Sequence, residues 1–336
     1  MFEAKAHDHF RAVRMLVLAT VFWGISFPVV RAMHLLQVQL LPDADSWFTS
    51  GAGMVVRFLA AGLAMTFMFR RTLRSTTRLE WRQGALLGFF CGTGSLLQMD
   101  GMAYTDASTS AFLTQSYCVM VPVLVCLRDR ALPKAKLVGC CLLMFAGIAI
   151  LTPNFDIRGF RLGRGELETL LGALLFCGQI LCLENPRYRA NRPENFSVVM
   201  LWVIVFVSLA PALWHTKRLS DWGVFTGSVG MMGLVFVLVC FCTLAAYLLM
   251  NRYQPKVTST EATLIYGCEP VCASLFALFV PGLIALLIGV QYANERLTWN
   301  LVVGGGVICL ANLILQWSWI DRRTKAEIRK APIFPA

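Results

Sequence analysis

Charge is what this 336-residue chain has least of: Asp, Glu, Lys and Arg together supply 15% of it, against roughly 25% in a soluble domain. That deficit excludes an ordinary soluble fold. Histidine is scarce too, with four scattered residues (His7, His9, His34 and His215), and no C-x-x-C pair occurs. A clustered metal site has nothing to build on. No G-x-x-x-x-G-K-[ST] loop is present either, and no soluble segment is large enough to hold a nucleotide, which argues against direct ATP drive. No cofactor is expected.

What fills the chain instead is apolar. Hydrophobic residues make up 57% of it, the mean hydropathy is +0.64, and they come in blocks long enough to cross a ~30 Å hydrocarbon core. This is the composition of an integral membrane protein. Twelve cysteines sit almost entirely inside those blocks (Cys91, Cys118, Cys140, Cys141, Cys240 and Cys309 among them) and read as small packing residues. The net charge of +11 falls in the short gaps between blocks, so it reads as a topology signal and not as a nucleic-acid surface.

Hydropathy predicts ten spans, near 14–34, 51–69, 84–104, 107–127, 136–153, 167–184, 196–214, 227–250, 261–280 and 300–320. The first is too long for a cleaved leader, and no small-residue cleavage site follows it. With the N-terminus on the cytoplasmic side, inside segments hold 22 basic residues against six outside. The expected placement is a bacterial inner membrane, multi-pass, with both termini cytoplasmic.

The chain also repeats. "SAFLTQSYCVMVP", ending at Pro122, aligns with "TSTEATLIYGCEP", ending at Pro270, at an offset of 148, which also sets Ser95 on Thr243. Gly84, Gly88 and Gly92 open the third span of one half; Gly227, Gly230 and Gly233 open that of the other. Such small residues let membrane helices approach closely. The last spans set Gly139 opposite Gly304 with an offset of 165, so about 17 extra residues lie between spans 9 and 10, in "VPGLIALLIGVQYANERL". Pro281-Gly282 is expected to end span 9, the alternative being a kinked extension of it. Five spans per half is an odd number, so the halves insert with opposite orientation. Inverted repeats of this kind belong to secondary transporters, with the substrate held near the midplane.

The motifs "FWGISFPVVR", "VVRFLAAGL", "STSAFLTQSYCVMVPV", "STEATLIYGCEPVCASL" and "NERLTWNLVVGGGVICLANLIL" occur in that order. Through them the chain resembles the EamA-type members of the drug/metabolite transporter superfamily over nearly its full length. The resemblance implies an all-α membrane protein of ten transmembrane helices in two inverted five-helix repeats, here 12–153 and 163–320, with a basic cytoplasmic tail at 321–336. It implies a small-molecule substrate, often an amino acid moved outward. Two departures stand out: "DRAL" where a Gly-Glu pair is usual, and a long outside loop, "QVQLLPDADSWFTSGAG".

The candidate substrate-binding residues are Trp23, Ser26, Arg57, Ser110, Thr114, Tyr117, Tyr247, Tyr266 and Glu269. Glu269 lies about 10 Å into span 9 at ~1.5 Å per residue, and an ionised acid at mid-membrane is costly by about 2.5–3.5 kcal/mol. It either staples the bundle or faces a wet cavity as the acceptor of an amine or a proton. Pro270 beside it removes the helical donor to the Tyr266 carbonyl and predicts a kink. Ser110, Thr114 and Tyr117 stand at i, i+4 and i+7, one polar face, opposite Thr258, Ala262 and Ile265 in the repeat. The same offset puts Val121 opposite Glu269. Arg57 is the fixed cation of span 2 or snorkels; Arg31, nearer its span's end, is expected to snorkel. Gln98 and Asp100 are placed near an outer gate, and Asp100 is expected at the interface. Trp23 and Tyr247 line the cavity or simply pack.

The reading is a secondary transporter of small metabolites, an amino-acid or related metabolite exporter with proton coupling in view. The alternatives are a non-transporting membrane scaffold or receptor, or a membrane-embedded enzyme. The lipid bilayer is the expected partner, nucleic acid is not, and a homodimer is left open.

Overall fold

The computed structural model describes residues 2–128, 130, 132–151, 162–257, 262 and 265–330, with side chains from residue 8 to residue 314. Among the described residues every regular element is helical. In chain order these are α1 (Phe2–Leu40), α2 (Ser46–Leu73), α3 (Arg78–Gly101), α4 (Ala107–Thr114), α5 (Tyr117–Arg128), α6 (Ala135–Leu151), α7 (Arg164–Glu184) and α8 (Pro193–Trp214). A four-residue α9 (Val224–Gly227) precedes α10 (Val229–Val237), which passes through a π-helical segment, Leu238–Ala245, into α11 (Ala246–Tyr253). Then come α12 (Glu269–Ala277), α13 (Val280–Ile288) and α14 (Trp299–Lys330).

Among the described residues six stretches are long and apolar enough to cross a membrane: α1, α2, α4–α5, α7, α8 and α10–α11; the pair α12–α13, bent by 49°, makes a seventh if it is one span. α6 and the apolar part of α14 are shorter helices. The long outside loop expected after span 1 is mostly helix. α1 continues to Leu40 and α2 starts at Ser46, where Asp45 caps it by accepting from the Trp47 N–H at 2.9 Å. Hydropathy marks where the apolar core ends, and a helix with polar residues runs on past that point. His34, expected at a span end, therefore lies buried within α1. α12 ends at Ala277, and Pro281 stands in the first turn of α13, beyond the 49° bend, where its missing N–H costs nothing. The outside loop around 152–161 and the tail residues 331–336 lie outside the described residues.

Packing is set by close backbone approach. α2 lies on α8, α3 on both α7 and α8, and α6 on α14, while α1 packs on α11 and α12. A Cβ added at Gly88 would come within 2.7 Å of the Met200 carbonyl oxygen and 2.6 Å of the Val203 Cβ, so α3 and α8 could not meet there with any larger residue. The glycines of the other half do not play this part: Gly227 and Gly233 face open space, and Gly230 alone meets a neighbour, Ile288. Likewise Gly304 sits tightly against Gly147 and Leu151, while Gly139, its repeat mate, touches nothing.

The start of α3 is tied to that of α8. Thr77 and Glu80 form a reciprocal capping box, and the Glu80 carboxylate accepts from Arg192 Nε at 2.8 Å, the Arg192 backbone N–H at 3.0 Å and Asn195 Nδ2 at 3.1 Å. Burial alone would push this carboxyl up, but Arg192, the Thr77 N–H and Asn195 together hold it at about 2.

Two outcomes follow for stability in detergent. Gly88→Ala should lose about 1–3 kcal/mol from overpacking, seen as a lower Tm, whereas Gly233→Ala should be neutral or slightly stabilising; equal effects would contradict the packing described. Because Glu80 has its folded pKa depressed from the ordinary 4.5 to about 2, its contribution is complete above pH 4.5 and is lost as pH falls toward 2. Glu80→Gln should therefore lower the Tm at neutral pH and flatten its fall on acidification.

Candidate functional site

Inside an apolar bundle, a backbone carbonyl released from its helix needs a donor from elsewhere. Three such carbonyls shape the centre of this protein. The first belongs to Tyr266. Ile265 and Tyr266 are helical, residues 267–268 form a turn and α12 begins at Glu269, so Pro270 occupies the first turn of a new helix and does not kink a continuous one. The carbonyl that Pro270 was expected to strand does lack a helical partner, and Gln115 Nε2 donates to it at 2.9 Å. Gln115 lies in the break between α4 and α5, so one interrupted span caps the other.

The second carbonyl is that of Cys242, in the π-helical segment. There the wider turn lets Thr243 Oγ1 donate to the Leu238 carbonyl five residues back, at 2.8 Å. Arg57 of α2 reaches in: Nε donates to Thr243 Oγ1 at 2.6 Å and Nη2 to the Cys242 carbonyl at 3.1 Å, with the guanidinium 5.1 Å from the Phe58 ring centre. Arg57 is 8% exposed and does not snorkel. Among the described residues no carboxylate lies within ion-pair distance of it. The third carbonyl is that of Met102, just past the end of α3, which accepts from Arg31 Nη1.

These contacts enclose a cavity with about 830 Å³ of empty space, its mouth included. Trp23 stands edge-on to Tyr247 and Tyr266, with ring centres 5.7 and 5.5 Å away. The Tyr247 hydroxyl is 3.0 Å from Cys91 Sγ, and Tyr266 Oη donates to Gln254 Oε1 at 2.8 Å. Glu269, 8% exposed, lines the same space. Among the described residues it has no hydrogen-bond or ion-pair partner. The cavity thus holds one acid and one guanidinium, neither neutralised by the other, between aromatic walls.

Eight of the nine candidate residues line it: Trp23, Ser26, Arg57, Thr114, Tyr117, Tyr247, Tyr266 and Glu269. Ser110 does not. It is fully buried, its hydroxyl 3.3 Å from that of Thr169 on α7. Its repeat counterpart, Thr258, lies outside the described residues. Sequence reasoning missed Gln179 and Gln254 as cavity residues and placed Gln98 at an outer gate. Gln98 instead lines the cavity and donates to Thr114 Oγ1 at 2.7 Å. The Ser95–Thr243 match was the available signal, since Ser95 lines the cavity and Thr243 holds Arg57. Asp100, expected at the interface, is 0% exposed. It is paired with Arg164 at 2.5 Å, and that guanidinium stacks 4.3 Å from the Tyr104 ring centre.

Several membrane-length helices surround a polar-lined interior, an arrangement that a membrane transporter requires. Residues 10–152 match the EamA-like transporter family. An uncharacterized transporter of Archaeoglobus fulgidus is 27% identical over 280 residues, covering 82% of this chain and 80% of the relative. A protein of solved crystal structure shares the fold at 13% identity, with a TM-score of 0.51 over 91% of this chain and 98% of its own. The first half of the chain thus carries an EamA-like transporter domain, and most of its length is similar to a transporter.

Arg57→Lys should be destabilising, because one ammonium lacks the planar fork that bonds Thr243 and Cys242 together. Loss of one or both charge-assisted bonds is worth about 1.5–3 kcal/mol, measurable as a lower Tm. A Tm unchanged in Arg57→Lys would show that the fork is not needed there.

Proposed function

We propose that this protein is a secondary transporter exporting amino acids or related zwitterionic metabolites, with Glu269 as the proton-coupling acid. The observation that carries the reading is the pair of unneutralised charges in one cavity: Arg57 suits a carboxylate, Glu269 an amine or a proton, and the aromatic walls suit the apolar part between. A buried acid with no fixed partner exchanges a proton with substrate more readily than one locked in an ion pair. The wide spacing of the two charged residues along the chain and across different helices fits a ligand bridging them.

Helix pairing supports two inverted repeats over 12–153 and 163–320. If α1, α2, α3, α4–α5 and α6 are exchanged with α7, α8, α10–α11, α12 and α14, the contacts map onto one another. α3 on α7 becomes α1 on α11, α4 on α7 becomes α1 on α12, and α3 on α8 becomes α2 on the π segment. The α2–α8, α4–α12 and α6–α14 pairs map onto themselves. An odd number of spans per half and the basic-residue bias support the ten-span topology with both termini in the cytoplasm of a bacterial cell.

The test is flux of an amino-acid panel into proteoliposomes under an imposed pH gradient, for the native chain and Glu269→Gln. The native protein should follow the gradient and the variant should lose that dependence while still binding or exchanging substrate. Gradient-driven flux retained by Glu269→Gln would remove the acid from the coupling step. No flux of any amino acid would remove the substrate class.

A further inference from the structure

A second cavity opens toward the end of the bundle where α1 finishes. About 1250 Å³ of empty space lies among α1, the start of α4, the end of α6 and the segment 292–301. Arg31, Asp106, Tyr292 and Glu295 border it. The Tyr292 hydroxyl is buried without a hydrogen-bond partner among the described residues. This vestibule and the central cavity share no lining residue, but a hydrogen bond links their walls. Arg31 borders the vestibule, Met102 borders the central cavity, and the Arg31 guanidinium donates to the Met102 carbonyl.

The position of Arg31 follows from helix geometry. Trp23, Ser26, Phe27 and Val30 line the central cavity from α1 at i, i+3, i+4 and i+7. Arg31 comes one residue after Val30, about 12 Å beyond Trp23 at ~1.5 Å per residue. On the facing helix the cavity wall runs through Gln98 and Met99 to Met102, and there α3 has already ended, leaving that carbonyl without a helical donor. The contact is therefore made between the last cavity-lining turn of α1 and the first non-helical residue after α3.

We infer that Arg31 is the gate between the two cavities, closed here by its bond to the Met102 carbonyl, and that the vestibule is the substrate's passage beyond it. This rests on reading the central cavity as the substrate site. A guanidinium is suited to the place, because it can leave one acceptor for others nearby: the vestibule offers the Tyr292 hydroxyl and the Asp106 carboxylate on its far side. A substrate with a carboxylate would compete with Met102 for the same donors, so its arrival favours release of the bond. The α4 end of the vestibule is held separately. Glu295 accepts from the Ala107 N–H at 3.1 Å, the Ser108 N–H at 3.4 Å and the Ser108 hydroxyl, so that wall stays fixed while Arg31 swings.

The test is access to a reporter in the central cavity. Ser26→Cys is placed in the full chain, where no native cysteine precedes Cys91, so modification at residue 26 is read on its own peptide by mass spectrometry. Membrane-impermeant methanethiosulfonate reagents, one cationic and one anionic, are applied to each face of sided vesicles. With Arg31 present, the reporter should react slowly from the vestibule face. Arg31→Ala should speed both reagents from that face by about tenfold, the worth of one charge-assisted hydrogen bond, and leave the rate from the opposite face unchanged. Met102→Ala, which thins the partition while keeping the carbonyl, should speed both reagents as well and serves if Arg31→Ala does not fold. Unchanged vestibule-face rates, with labelling from the other face intact, would overturn the gate alone. A faster cationic and slower anionic reaction would also overturn it, since Arg31 would then act only as a charge. A reporter unreactive from both faces would overturn the gate and the central substrate cavity together.

Discussion

A carbonyl that leaves its helix within an apolar bundle must be answered by a donor from another segment, and here that constraint organises the protein. Tyr266, Cys242 and Met102 each expose one such oxygen, and each is met by a long polar side chain from a distant element: Gln115, Arg57 and Arg31. Every bond joins two of the walls around the central cavity. The breaks in α4–α5 and before α12, and the π-helical turn within α10–α11, therefore bring backbone oxygens to the interior beside its polar side chains.

The same logic separates the charges that matter from those that only hold. Arg164 bridges Asp100 and Glu168, with Ser50 donating to the buried Asp100 at 3.2 Å, and these contacts lock α2, α3 and α7 at one end. Glu80 does the equivalent for α3 and α8 through Arg192 and Asn195. Arg57 and Glu269 have no such fixed ionic partner among the described residues, and they are the two that face the cavity. An acid paired within the fold is structural; an acid left open to a cavity keeps its capacity for a ligand.

Much of this was legible beforehand. Long uncharged blocks gave the helices, because only a helix satisfies its backbone in lipid, and the offset of 148 put Thr114, Tyr117 and Glu269 on faces that do meet. Other features depended on contacts that periodicity cannot see. Ser110 shares the helical face of Thr114, yet α7 comes close enough to take its hydroxyl. Asp100 looked interfacial because its partner, Arg164, is 64 residues away in a different block. The three glycines of each repeat look alike in sequence, but α3 is clamped between two helices and needs the missing Cβ at Gly84, Gly88 and Gly92, whereas in the other half only Gly230 stands close to a neighbour. Gln115 gave no signal at all, since its role comes from the break beside it.

The segment between α12 and α14 looks, by length alone, like an addition that a compact transporter could do without. Its bonding says otherwise. The Glu295 N–H donates to the Ala277 carbonyl at 2.9 Å, Asn294 accepts from the Gly282 N–H at 2.6 Å, and the Glu295 carboxylate supplies the cap that α4 lacks from its own Asp106. The folding of a helix in the first half is thus completed by residues synthesised nearly two hundred positions later. The start of α4 is therefore shared between the two halves of the chain, and neither half holds both the N–H groups and the anion that meets them.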